Sequence, residues 1–260
     1  MAAPSSQYHV GSSTVSVVPL QRAADSHTIE WMRSWWLLLA CACGGDGSKA
    51  IDAAIGDASP DACAASHTIF LNRGGGTYTV GPDDATMNKS SAIGQTRTLP
   101  PPTTVDADWT AVMTCVTSKL STFPITVTDQ DPGTAQHVEV VVLDSGNQIG
   151  VPGLTAGAPS TPCAGGFGTA AKNTIAFAVW QGTNANRCWD LSMAIGYTLG
   201  LDNVLPCEDL MSQNPSCSIP GKAFTNVDQP CGDTAARNCR CGGTTQNAAQ
   251  RIAANVGTCP

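Results

Sequence analysis

Ser192-Met193-Ala194-Ile195-Gly196-Tyr197-Thr198-Leu199-Gly200-Leu201-Asp202-Asn203 is the most informative run of this chain. Leu191, Ile195, Thr198 and Leu199 recur at spacings of three and four, so residues 186–199 are predicted to form a helix with one buried stripe. Gly200 follows directly, at the position where helices commonly end in the left-handed conformation that glycine adopts most easily. The helix stops there, and Leu201, Asp202 and Asn203 leave in a new direction.

Upstream, Thr174 to Trp180 is an apolar strand, and His137 to Leu143 is a denser apolar run suited to a more buried one. Pro124 to Thr128 alternates like a half-buried strand, and Asp131-Pro132-Gly133 is a turn. Residues 106–122 place Trp109, Val112, Met113, Val116 and Leu120 on one helical face, with Asp106 or Asp108 as N-cap. His67 to Asn72, Gly74-Gly75-Gly76 and Thr77 to Val80 read as strand, turn, strand, and Pro100-Pro101-Pro102 is extended. Downstream, residues 206–243 are loop-rich and hold five cysteines, and Thr244 or Thr245 is expected to cap a last helix carrying Ala248, Ala249, Ile252 and Val256. Strands interleaved with helices and followed by a cystine-rich tail predict an α+β domain over 67–260, built on a twisted mixed sheet.

Composition narrows the function classes. Apolar residues make up 42% of the 260, enough to fill a core, whereas 13% charged residues with 26 Gly and 17 Pro argue against a helical bundle. Thirteen Lys and Arg against 20 Asp and Glu give a formal charge of −7 with no basic face, so nucleic acid is a poor partner. Twelve cysteines suit disulfides in an oxidising compartment. The ten from Cys63 to Cys259 can close five bridges, whose pairing spacing does not reveal.

Export is expected from the amino-terminal third. Residues 1–31 read as neither domain nor signal, which leaves translation from Met32 an open alternative. Residues 32–41 read as an export signal: Arg33 is the positive charge, Trp35 to Ala40 the apolar run, and Leu38-Leu39-Ala40-Cys41 resembles a lipobox whose Cys41 carries the lipid. A plain secretory signal is the alternative. The apolar run is too short to span a bilayer, so the expected membrane partner is reached through the lipid anchor. Residues 42–66, rich in Ala, Asp and Gly, form a tether.

The frame of 193–203 resembles the zinc-binding helix of the metzincin peptidases, matrixin type. That helix reads His-Glu-x-x-His-x-x-Gly-x-x-His: two histidines one turn apart face the metal, the glutamate activates its water, and a third histidine arrives beyond the bend. With the family's glycine on Gly200, the first histidine falls on Met193, the glutamate on Ala194, the second histidine on Tyr197 and the third on Asn203. Asp209-Leu210-Met211-Ser212 looks like the Met-turn beneath the zinc, with Met211 the matching residue. The resemblance extends from His67 to the carboxy terminus through Leu71-Asn72 to Gly76, Asp83 to Asn88, Asp131-Pro132-Gly133, His137-Val138-Glu139 and the tail from Cys239 to Asn247.

What the resemblance implies is a peptidase scaffold stripped of its chemistry. A thioether, a methyl, a phenol and an amide lack the imidazoles that give zinc its affinity, so no cofactor is expected; without a carboxylate at Ala194 no base takes a proton from water. The expected function is an exported, lipid-anchored pseudopeptidase that binds an extended polypeptide in its residual cleft. The alternatives are an active zinc-dependent metalloendopeptidase, in which zinc would be the cofactor, and a purely structural surface lipoprotein.

Other constellations are weaker. His9 and His27 lie in the leader, and His67 and His137 are expected at strand ends or on the surface, each without a histidine at metal spacing. Cys231, Cys239 and Cys241 are read as bridged. Asp83, Asp84, Asp129 and Asp131 suit turn capping better than calcium, lacking EF-hand spacing. Gly165-Gly166-Phe167-Gly168 has no phosphate-loop lysine, and no Gly-x-Ser-x-Gly elbow exists.

Overall fold

Val138-Glu139-Val140-Val141-Val142-Leu143 is β-branched almost throughout and buried at every position, which requires a strand covered on both faces. A computed structural model describes residues 67–103, 106–157, 162–163, 173–214 and 216–259. Its elements are β1 (His67–Asn72), β2 (Gly76–Val80), β3 (Lys89–Ser90), β4 (Arg97–Leu99), α1 (Trp109–Leu120), β5 (Ile125–Thr128), β6 (Val138–Leu143), β7 (Ala156–Gly157), β8 (Ile175–Val179), α2 (Asn184–Thr198), β9 (Gln229–Pro230), β10 (Thr245–Gln246) and α3 (Ala248–Val256). The expected α+β class holds: β6 is the central strand of a five-stranded mixed sheet ordered β5-β1-β6-β8-β7, parallel except for β7 at one edge. The export signal, Cys41, the tether, Cys63 and Gly165 to Gly168 lie outside the described residues.

Strand alternation sorts the core into two sides. Ile69, Leu71, Val138, Val140, Val142, Ala176 and Ala178 join the cluster that contains α1, α2 and α3. Val141, Leu143, Ile175, Phe177 and Val179 join Tyr78, Ile93, Leu99 and Ile149 on the other face. There β2 forms a small sheet with β3 and β4, so β1 and β2 belong to separate sheets despite their short connection. Three polar side chains tie these sheets together. Asn72 Nδ2 donates to Glu139 Oε1 at 2.8 Å, and the Tyr78 hydroxyl donates to the same oxygen at 2.6 Å. Glu139 is 1% exposed and its Oε2 has no partner, so burial raises its pKa to about 7.

Four disulfides join described residues: Cys115–Cys188 links α1 to α2, and Cys163–Cys241, Cys207–Cys217 and Cys231–Cys239 hold the carboxy-terminal third. Cys259 is disulfide-bonded as well. Among the described residues no helix is long and apolar enough to cross a membrane.

Several local expectations need correction. Asp108 occupies the N-cap position of α1 but makes no capping bond; its carboxylate instead accepts from Asn184 (3.1 Å) and Arg187 (2.6 Å), joining the starts of α1 and α2. The cap of α3 is Asn247, which accepts from Gln250 N, because Thr245 is taken up in β10 opposite Pro230. His137 stands at the start of β6 but not on the surface: it is 1% exposed, its Nδ1 lies 2.8 Å from Ala135 O, and its ring meets Phe70 edge-on. The aspartates cap turns: Asp84 accepts from Thr86 N, Asp131 from Gly133 N and Asp83 from Ser91 N, while Asp129 accepts from the Trp109 indole.

Candidate functional site

Helix α2 begins at a capping box in which Thr183 accepts from Asn186 N and Asn186 returns the bond to Thr183 N. It ends where expected. Gly200 has φ +84, Gly200 N bonds Tyr197 O, and Leu201 N bonds Gly196 O, which closes the last turn. A side chain at Gly200 would be strained at that φ and would approach Pro162 O. The chain then bends under a second restraint: Asp202, 1% exposed, receives Arg237 at 2.6 and 2.8 Å and the backbone N–H groups of Asn203 and Arg240. Burial alone would raise its pKa, but these donors hold it below the usual carboxylate range.

The bend brings Asn203 back against the helix. Tyr197 donates its hydroxyl to Asn203 Oδ1 at 2.5 Å and accepts from Gln213 Nε2 at 2.8 Å; the same nitrogen lies 3.8 Å from Met193 Sδ. Asn203 Nδ2 in turn donates to Asp233. Met193, Tyr197 and Asn203 therefore converge on one hydrogen-bonded chain, Gln213 to Tyr197 to Asn203 to Asp233. Ala194 adds only a methyl. Met193, Ala194, Tyr197 and Asn203 are all buried.

Met211 packs against the same helix. Its sulfur packs so tightly over Gly196 that any Cβ there would collide with it. The loop is clamped by Asp209, which accepts from Met211 N and Thr225, by Trp189 Nε1 donating to Leu210 O, and by Lys222 Nζ donating to Ser212 O. Gly196, Gln213 and Asp233 were not expected as site members. Gly196 carried a signal, being a glycine inside a helix; Gln213 follows Met211 by two residues, and Asp233 offered none.

Zinc, the ion the resemblance implies, does not fit this donor set. The Tyr197 phenol is pushed far above its ordinary pKa by burial and is already bonded on both sides. The Asn203 oxygen is occupied, the Gln213 amide stands between Met193 and Tyr197, and the carboxylate of Asp233 is engaged. Among the described residues no three His, Cys, Asp or Glu cluster at metal-binding distance. One further acid shares the helix: Asp190, one turn before Ala194, is 2% exposed, its Oδ1 has no partner, and burial raises its pKa to about 7.

No family model, curated protein or solved structure matches this chain. The geometry is thus the basis for a functional reading. It offers a buried, hydrogen-bonded cluster at the bend that ends on the Asp233 carboxylate.

Proposed function

We propose that the chain is an exported, lipid-anchored, metzincin-like pseudopeptidase that holds an extended polypeptide without cleaving it. The observation that carries this reading is the convergence of Met193, Tyr197 and Asn203 around the bend at Gly200, with Met211 packed on the same helix at Gly196. The polypeptide is proposed to lie along β7, a two-residue edge strand with no further strand paired to its outer side among the described residues; β7 packs against α2 on the helix-bearing face. The disulfides fit an oxidising compartment, and Cys41 supplies the anchor.

The test is restoration. The full chain, produced with its disulfides and carrying Met193→His, Ala194→Glu, Tyr197→His and Asn203→His together, is expected to bind one zinc per chain by elemental analysis, whereas the native chain binds none. A folded variant with no zinc would refute the alignment. Stoichiometric zinc and chelator-sensitive proteolysis by the native chain would refute the pseudopeptidase. Radiolabelled palmitate incorporation, lost in Cys41→Ala, tests the anchor.

A further inference from the structure

Beside β7, on the sheet face away from α2, an apolar cavity of about 260 Å³ is lined by Ala92, Ile149, Val151, Leu154 and Phe177, with Gly157 on its strand side. One of its lining positions has no side chain. Gly157 is the cross-strand partner of Phe177, and partners directly opposite one another present their side chains on the same face. Phe177 belongs to the cluster on this face and Ala156 to the cluster on the helix face. The absent Gly157 side chain would therefore point into the cavity, where its Cβ would come 3.1 Å from Leu154 Cδ1. The edge strand thus has a notch where it borders the cavity.

A strand that pairs with the outer edge of β7 places a residue opposite Gly157, again with its side chain on this face. We infer that the bound polypeptide is selected for a large apolar side chain, isobutyl or phenyl, at the residue facing Gly157. This rests on the binding reading above and adds its specificity. Size agrees, since roughly 150 Å³ of apolar cavity suffices to hold benzene. Charge is refused: the polar side chain of the lining, the Ser91 hydroxyl, is already bonded to Asp83 at 3.1 Å, and no lining side chain is ionisable. The next residue of the polypeptide turns to the opposite face, where Ala156 meets α2.

The probe is a set of capped, fluorescently labelled peptides Thr-Thr-X-Thr-Thr, with X as Gly, Leu, Phe or Asp, titrated by anisotropy into the full disulfide-bonded chain. Leu and Phe peptides are expected to bind about tenfold to a hundredfold more tightly than Gly or Asp peptides, the value of burying one such side chain. Gly157→Val, which fills the notch against the movable end of Leu154, is expected to bring the Leu/Gly ratio to about one. Val151→Asp changes the exposed rim instead of the strand and should also collapse the ratio, so misfolding of one variant leaves the test intact. Peptides that bind with no dependence on X, or a ratio that survives both variants, would overturn the pocket assignment while leaving polypeptide binding in place. Failure of every peptide to bind would overturn both.

Discussion

Raising the pH from 5 to 8 is expected to destabilise this protein, the reverse of what paired surface carboxylates produce. Glu139 and Asp190 are both nearly inaccessible, and each has one oxygen without a partner. Their pKa values rise from 4.5 and 3.8 to about 7. A carboxyl whose pKa is higher in the folded state binds more protons there than when unfolded. Its stabilisation is therefore complete below the unfolded value and is lost as the pH climbs through the folded one. Linkage then gives a loss between pH 5 and pH 8 on the order of 2–3 kcal/mol for each group. Asp209, also raised by burial, acts in the same direction. His67, whose pKa burial lowers, opposes the loss below 6.5, but it is only half-buried. The lowered pKa values of Asp202, Asp108 and Asp129 matter only at the acid end, below the usual carboxylate range. Urea unfolding followed by tryptophan fluorescence, with disulfides intact, measures the effect at the two pH values. Glu139→Gln should remove about half of the pH dependence while keeping the bonds from Tyr78 and Asn72 to its amide oxygen. Stability that is flat or increases from pH 5 to 8 would show that these carboxyl groups are solvated and that the two sheets are not joined as described.

The remaining expectations concern the site and the staples. Tyr197→Phe strips the hydroxyl from a chain of buried partners, leaving Asn203 Oδ1 and Gln213 Nε2 without it, and should cost about 1–3 kcal/mol in urea unfolding; no measurable change would mean that water or another group satisfies them. Gly196→Ala forces a methyl against the Met211 sulfur and should cost about 1–3 kcal/mol, with the penalty reduced in a Met211→Ala background by a double-mutant cycle; additive costs would separate the Met-turn from the helix. Replacing the Cys115–Cys188 pair by serines releases a link across 73 residues and should cost about 4 kcal/mol, against about 2.5 kcal/mol for the eight-residue separation of Cys231–Cys239. In the zinc-restored variant, adding Gln213→Ala should strengthen metal binding measured by chelator competition, because the amide between Met193 and Tyr197 occupies the space the ion needs.

Long elements with a clear period were legible. The β-branched run of β6 and the stripe of α2 locate the sheet centre and the helix that crosses it, and Gly200 marks the bend. Tertiary bonds were not legible. Asp108 reads as a cap for α1 because the sequence cannot show that Arg187, 79 residues away, takes its carboxylate. Thr245 reads as a cap for α3 because its strand partner Pro230 is a two-residue pairing with no periodicity. Asp233 completes the site across 30 residues of loop-rich chain, a contact held by the backbone bond from Gly232 N to Asn203 O together with the bridge and the Arg237 clamp.

On the pseudopeptidase reading, the same clamps explain how a bend built for a metal can persist without one. Removing three ligands from a closed site would leave buried polar stumps and a hole, each costing on the order of 1–3 kcal/mol. Here the replacements satisfy one another: Tyr197 and Asn203 span the bend directly, Gln213 fills the space beside Met193, and Asp202 with Arg237 fixes the turn from outside the cluster. On the pseudopeptidase reading, the hydrogen-bonded chain has taken over the structural part of the ion's work and none of its chemistry. Selection on such a molecule would act on the shape of the cleft and on the notch at Gly157, since these are the features through which it can still distinguish one polypeptide from another.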